Sequence, residues 1–250
     1  MATLVIPDVH ERTKRLTQTV NKYLQEGVDQ IVFLGDFFDN PYSTEEDIRS
    51  MARWLAAHID DPRFVFLLGN HDMQYGWPSE NYCCDGFTEF RQKVINEYMT
   101  PDHWRVFRLF TWVGKWLLSH AGLSPRFVDS KRGFTLEELN KLQRQAFFAL
   151  ESGCSHPFIE AGLARDGDEL VGGINWLDWN LEFMPIKGLN QIVGHSVWDS
   201  IRYKWKEDSM NYNIDTYFRC VAILRDDKTS FEAAPYQARG TAQSCVPVLS

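Results

Sequence analysis

The chain lacks several features that would each have set its class. No apolar run approaches the roughly 20 residues of a membrane-spanning helix, and Met1–Ile6 is too short, uncharged and soon interrupted by Asp8 to read as a signal peptide. Basic residues are not in excess. The 26 Lys and Arg stand against 34 Asp and Glu, for a formal net charge of −8, which argues against stable nucleic-acid binding and against a surface made for anionic membrane. The five cysteines (Cys83, Cys84, Cys154, Cys220, Cys245) show no paired CxxC spacing, so neither a zinc ribbon nor a disulfide framework is indicated. Adjacent Cys83 and Cys84 read as loop or core thiols. No repeat, linker or low-complexity block divides the 250 residues. The expectation is a reduced, soluble, cytoplasmic protein with one domain over residues 1–235 and a loose tail over 236–250.

What is present is an alternation of short apolar runs with helical patterns. Leu4–Ile6, Ile31–Leu34 and Phe64–Leu68 read as strands, the second being a β-branched and aromatic run of the kind buried on both faces. Between them, Thr13–Gln25 carries Leu16, Val20, Tyr23 and Leu24 at helical spacing. Ser43–Ile59 has Ser43 or Thr44 as N-cap and acids in its first turn, where the helix dipole favours them. This order predicts a sheet with crossover helices. Further on, the pattern predicts a helix over Phe87–Tyr98 and strands over Arg105–Phe110 and Trp116–Leu118, with a turn at Gly114-Lys115. A helix over Thr135–Leu150 opens with a Thr135/Glu138 capping box. Ser152–Gly173 reads as a long loop, and Gln191–Val193, Asn213–Ile214, Val221–Leu224 and Ser230–Glu232 as short strands.

Polar motifs follow several of these strands at once: Asp8-Val9-His10, Gly35-Asp36-Phe37-Phe38-Asp39, Gly69-Asn70-His71-Asp72, Ser119-His120-Ala121-Gly122 and Gly194-His195. Carboxyl ends of strands are where α/β sheets place their sites. Singly, each motif has a bland reading as surface, turn or core. Together they hold four of the seven histidines, and chance becomes a poor account. A mixture of carboxylate, amide and imidazole suits Mn²⁺, Zn²⁺ or Fe better than Ca²⁺. Two such ions roughly 3.5–4 Å apart would activate a water held between them and clamp a phosphoryl group, with no need of a Ser or Cys nucleophile. His71 is placed to protonate a leaving alkoxide, with Asp39 or Asp72 to hold it charged.

In this order the motifs resemble those of the calcineurin-like metallophosphoesterases, and within them the phosphoprotein phosphatase group, over about Leu4 to Leu224. His120-Ala-Gly-Leu-Ser-Pro125 points most sharply to that group. Val197, standing where nuclease-type relatives carry a second histidine, separates the chain from them. The resemblance implies a four-layer α/β/β/α sandwich of two facing mixed sheets. It implies two divalent ions, Mn²⁺ first and Zn²⁺, Fe or Ni²⁺ as alternatives. Asp8, His10 and Asp36 would hold one ion, and Asp36, Asn70, His120 and His195 the other, with His71 as general acid beside Asp39. Asn40-Pro41 follows Asp39 where phosphatases usually have Arg-Gly, an arginine that helps hold phosphate. A carboxamide cannot replace its charge or its fork, so Arg126 and Arg165 are the candidates to do so. Aromatic-rich Asn175–Asn180 reads as cleft wall or core.

The implied function is phosphomonoester hydrolysis by a metal-bridging hydroxide, on a phosphoprotein, a small phosphomonoester or a nucleotide. The alternatives are a nucleotide or dinucleotide polyphosphate or cyclic-nucleotide hydrolase and, in another class, a non-catalytic metal-binding regulatory protein.

Overall fold

Successive side chains of a strand face opposite ways, and in the first three strands both faces are apolar. In β1 (Ala2–Ile6), β2 (Gln30–Phe33) and β3 (Phe64–Phe66), Leu4, Ile6, Ile31, Phe33, Phe64 and Phe66 enter one core. Val5, Val32 and Val65 enter a second. The first core is closed by the apolar faces of α1 (Thr13–Gln25) and α2 (Glu45–His58), through Leu16, Val20, Tyr23, Ile48, Met51 and Leu55. The second lies between two sheets, where Trp116, Leu118, Ile192, Ile201 and Ile214 meet the valines. The computed structural model describes residues 1–129, 132–225, 228–234 and 245–250.

After β3 come α3 (Asn70–Gly76), α4 (Glu89–Asn96), α5 (Pro101–Trp104), β4 (Phe110–Val113), β5 (Trp116–Ser119) and α6 (Leu136–Ser152). β6 (Asn190–Val193), β7 (Arg202–Lys206), β8 (Ser209–Asn213), β9 (Cys220–Arg225), β10 (Lys228–Ala233) and β11 (Val248–Leu249) follow. One sheet has the order β10-β9-β1-β2-β3 and the other β11-β7-β8-β6-β5-β4. Both are mixed, and they face each other with helices outside, the α/β/β/α order that the resemblance implies. β1, β2 and β3 are mutually parallel, and so are β5, β6 and β8. Each sheet therefore sends three carboxyl ends the same way. Among the described residues, no helix is long and apolar enough to cross a membrane.

Local signals set several boundaries. Thr44 and Asp47 form a reciprocal capping box at the start of α2, as Thr135 and Glu138 do at α6. Val113 pairs with Trp116 across the expected Gly114-Lys115 turn. The strand expected over Arg105–Phe110 lies later, at β4. Thr100 caps α5 with Pro101 in its first turn, so the chain up to Trp104 is helical, and Arg108 makes only an isolated bridge with Leu67.

The expectation of no disulfide is corrected: Cys220 and Cys245 are bonded, at a sequence separation of 25. The pairing depends on the tail folding back, which no short spacing announces. Of the segment expected as a loose tail, residues 236–244 lie outside the described residues. Its last six are held by this bond, by pairing of β11 with β7, and by Trp179 Nε1–H donating to Ser250 Oγ at 2.9 Å. Cys83, Cys84 and Cys154 are free.

Candidate metal centre

Each motif turns off its strand sharply. His10, Asp36, Asp39 and His195 have φ of 44°, 52°, 69° and 67°, a left-handed conformation that costs an L-residue roughly 1–2 kcal/mol. Strain of this kind collects at functional sites, where the surroundings hold it in place. Here Val9 and His10 both donate their N–H to the Asp36 carbonyl, at 3.0 and 2.9 Å. The turns also approach one another closely. A Cβ on Gly69 would lie 2.3 Å from the Asp36 backbone nitrogen, so only glycine fits there, and one on Gly194 would lie 2.0 Å from Asp8 Oδ1 and would displace that carboxylate.

The side chains converge on Asp36. Its Oδ2 lies 3.8 Å from His10 Nε2 and 3.4 Å from His120 Nε2, while Oδ1 accepts the His71 N–H at 3.0 Å. His120 Nε2 is also 2.9 Å from Asn70 Oδ1 and 3.2 Å from His195 Nδ1. Among the described residues, two groups have donor atoms close enough to hold an ion, Asp8–His10–Asp36 and Asp36–His120–His195, and Asp36 belongs to both.

The donor set tests whether cations fit. His10 Nδ1–H donates to the Phe38 carbonyl at 2.6 Å and His120 Nδ1–H to that of Leu34 at 2.9 Å, which turns both Nε2 lone pairs inward. A carboxylate, an amide oxygen and imidazole nitrogens then crowd together as acceptors. A proton can satisfy one or two of them, and divalent ions would satisfy all. The electrostatics agree. Burial alone would lower the His120 pKa, but Asp36 and Asp8 outweigh it and raise it to about 9. Burial and the neighbouring Asp215 push Asp8 well up. Burial opposes ionisation of Asp36 too, but His120, His71 and His10 hold it well below the usual range. Burial lowers His10 to about 4, which leaves a neutral imidazole. The cluster is short of positive charge and rich in lone pairs, and it fits divalent cations.

His71 stands beside this cluster. Its Nδ1–H donates to Asp39 Oδ2 at 3.1 Å. Burial would lower its pKa, but Asp36 and Asp39 outweigh it and raise it to about 9. Asp39 is itself held by the Tyr75 hydroxyl and by Gln74 Nε2 at 3.5 Å. Asp72, the other candidate partner of His71, instead accepts the N–H groups of Asp36, Phe37 and Gly69 at 2.8, 2.9 and 3.0 Å. It clamps two of the turns together.

Two residues were given no role by the sequence reading. Glu11 accepts the N–H groups of Asp39 and Asn40 at 2.9 and 2.6 Å and pairs with Arg91 Nη1 at 2.8 Å, so it builds the turn that carries Asp39. Asp215 is 3% exposed and follows β8 by two residues, as Asp8 follows β1. That repeated position was the available signal.

A cleft of about 990 Å³ opens over the centre. Arg165 lines it, with Nη2 2.8 Å from Ser196 Oγ and 3.0 Å from Asp178 Oδ2. Arg126 is not among the lining residues, since its guanidinium donates to the Val171 carbonyl and pairs with Glu169 at 2.7 Å. The aromatic segment divides: Trp176 walls the cleft, edge-on to His195, while Trp179 is fully buried in core.

A model of the calcineurin-like phosphoesterase family matches residues 1–219. Among solved structures, the chain is similar to a cold-active protein-tyrosine phosphatase of the psychrophile Shewanella sp., at 14% identity and a TM-score of 0.56, over 94% of this chain and 80% of that one. It is also similar to a protein serine/threonine phosphatase from Saccharomyces cerevisiae, at 13% identity and a TM-score of 0.53, over 97% of this chain and 82% of that one. At these identities the likeness fixes the fold alone. No curated protein sequence matches the chain. With the family match spanning all five strand-end motifs, the chain belongs to the calcineurin-like phosphoesterases, metal-dependent hydrolases of phosphate esters.

Proposed function

We propose that the protein is a binuclear phosphomonoesterase of the phosphoprotein phosphatase type. The observation that carries this reading is the sharing of Asp36 by two donor clusters, with a carboxylate-held histidine beside them. Asp8, His10 and Asp36 would hold the first ion, and Asp36, Asn70, His120 and His195 the second, with Mn²⁺ the first choice. The ions supply a water activated near neutral pH and charge to offset that of the phosphoryl oxygens. His71 is the general acid: Asp39 holds its Nδ1–H, leaving Nε2–H to protonate the leaving oxygen.

Arg165 takes the place of the arginine missing after Asp39. A charge-assisted hydrogen bond is worth about 1.5–3 kcal/mol, so Arg165→Ala is expected to raise KM for a phosphomonoester by about tenfold or more, with a smaller change in kcat. Arg126→Ala should leave both within about twofold, because its guanidinium serves the loop. Steady-state kinetics on an aryl phosphate decides between them.

The cleft charge favours a single phosphate on a protein over a nucleotide polyphosphate. Outside the donor clusters, Asp85, Glu160, Asp166, Asp168, Asp215 and the Arg126-paired Glu169 line the cleft, against Arg165 as its one Lys or Arg among the described residues. A polyphosphate chain would bring further negative charge against these carboxylates, whereas a peptide with basic residues near its phosphate would complement them. With Mn²⁺ present, kcat/KM should be highest for a basic phosphopeptide in a panel that includes diadenosine polyphosphate and cyclic nucleotide. A preference for either nucleotide would transfer the assignment to the nucleotide-hydrolase reading. Binding of two ions with turnover of none would favour a regulatory protein. A cytoplasmic setting fits the three free cysteines, and the Cys220–Cys245 bond is the feature that fits an oxidising compartment.

A further inference from the structure

Asn70 carries two chemically opposite atoms on one flat group. Its Oδ1 has lone pairs that a cation can use, and its Nδ2 has hydrogens that a cation repels. A half-turn about the Cβ–Cγ bond exchanges them with almost no change of shape, so a ligand asparagine needs something to select its orientation. Oδ1 faces the centre, 2.9 Å from His120 Nε2. On its other side Nδ2 donates to Cys84 Sγ at 3.6 Å, and the Cys84 S–H donates to the Asn70 backbone carbonyl at 3.1 Å. With its only hydrogen turned to backbone carbonyls, that of Asn70 at 3.1 Å and that of Tyr82 at 3.9 Å, the sulfur offers the amide nothing but lone pairs. It can accept from Nδ2 and has nothing to give Oδ1.

We infer that Cys84 is a positioning residue for the second metal ion, its sulfur holding the Asn70 amide with the oxygen toward the centre. The thiol is well placed to do this. Cys84 is 8% exposed, and its backbone N–H donates to Gln74 Oε1 at 2.8 Å. The same Gln74 amide reaches Asp39 through Nε2, so one glutamine ties the cysteine loop to the carboxylate that serves His71. Of the pair expected as plain loop or core thiols, Cys83 is exposed and Cys84 reaches a ligand. Partners that orient ligands commonly contribute about 10–100-fold in metal affinity.

This inference rests on the binuclear reading, and Mn²⁺ titration of the metal-stripped full chain by calorimetry separates the two, with thermal melts alongside. In Cys84→Ala one of two Mn²⁺ equivalents should weaken by about tenfold or more while the other stays within about twofold. Cys84→Ser, which keeps a donor and an acceptor, should recover most of the loss. The decisive arm is Asn70→Asp. Two equivalent carboxylate oxygens leave no orientation to select, so adding Cys84→Ala there should cost less than about twofold. An equal loss in both backgrounds would make the thiol a packing element and overturn the assignment, as would no loss in either. A parent chain that binds fewer than two ions would overturn the binuclear reading, and this inference with it.

Discussion

Asp36→Asn is expected, on the proposed binuclear reading, to lower bound Mn²⁺ from two ions per chain to less than one and to reduce phosphate release to background, with the fold retained. Asp36 is the one side chain in both donor clusters, so its loss is felt twice. Asparagine offers a single neutral acceptor oxygen, which can serve at most one ion and neutralises neither. The ions are asked to supply several kcal/mol of transition-state stabilisation, so the loss in kcat/KM should be at least about 10³-fold. The fold should survive for local reasons. Asparagine tolerates the left-handed φ of 52° at this position. The backbone N–H of residue 36 keeps its bond to Asp72. Elemental analysis, aryl phosphate hydrolysis and a thermal melt on one preparation test the three parts. Retention of two ions with measurable turnover would remove Asp36 from the bridging position.

The centre was legible in sequence because its strands are apolar on both faces, so the polar residues that end them stand out. Ile31–Leu34 gives way at once to Gly35-Asp36, and Trp116–Leu118 to Ser119-His120. α1 has the expected bounds because Leu16, Val20 and Tyr23 bury one face. Where no such contrast exists, the reading failed. β7 is Arg-Tyr-Lys-Trp-Lys, a charged strand between two neighbours whose pairing supplies what its sequence does not. Glu11 looks like an ordinary acid and Asp72 like a partner for His71, yet both carboxylates accept backbone N–H groups that sequence does not place. Asp215 sits at a strand end without a neighbouring histidine or glycine to mark it. Arg126 and Arg165 were equal candidates on paper, and the course of the long loop put only the second in the cleft.

Removal of the His71 ring should separate proton delivery from metal binding. His71→Ala is expected to lower kcat by about 10²–10⁴-fold on an alkyl phosphate such as a phosphoserine peptide, the usual contribution of a positioned acid. The loss should be much smaller on a nitrophenyl phosphate, whose leaving group departs as a stable anion and needs little protonation. Bound metal should not change, because the contact between His71 and Asp36 runs through the backbone N–H, which alanine retains. Asp39→Asn should follow the same pattern more weakly. It keeps an acceptor for Nδ1–H but removes the charge that helps keep the imidazole protonated, one of the causes that raise its pKa to about 9. The comparison of two esters and two variants is diagnostic because the competing role predicts the reverse. If His71 acted by holding an ion, both esters would slow equally and metal content would fall with them. If it acted only by packing, Asp39→Asn would not share its dependence on the leaving group.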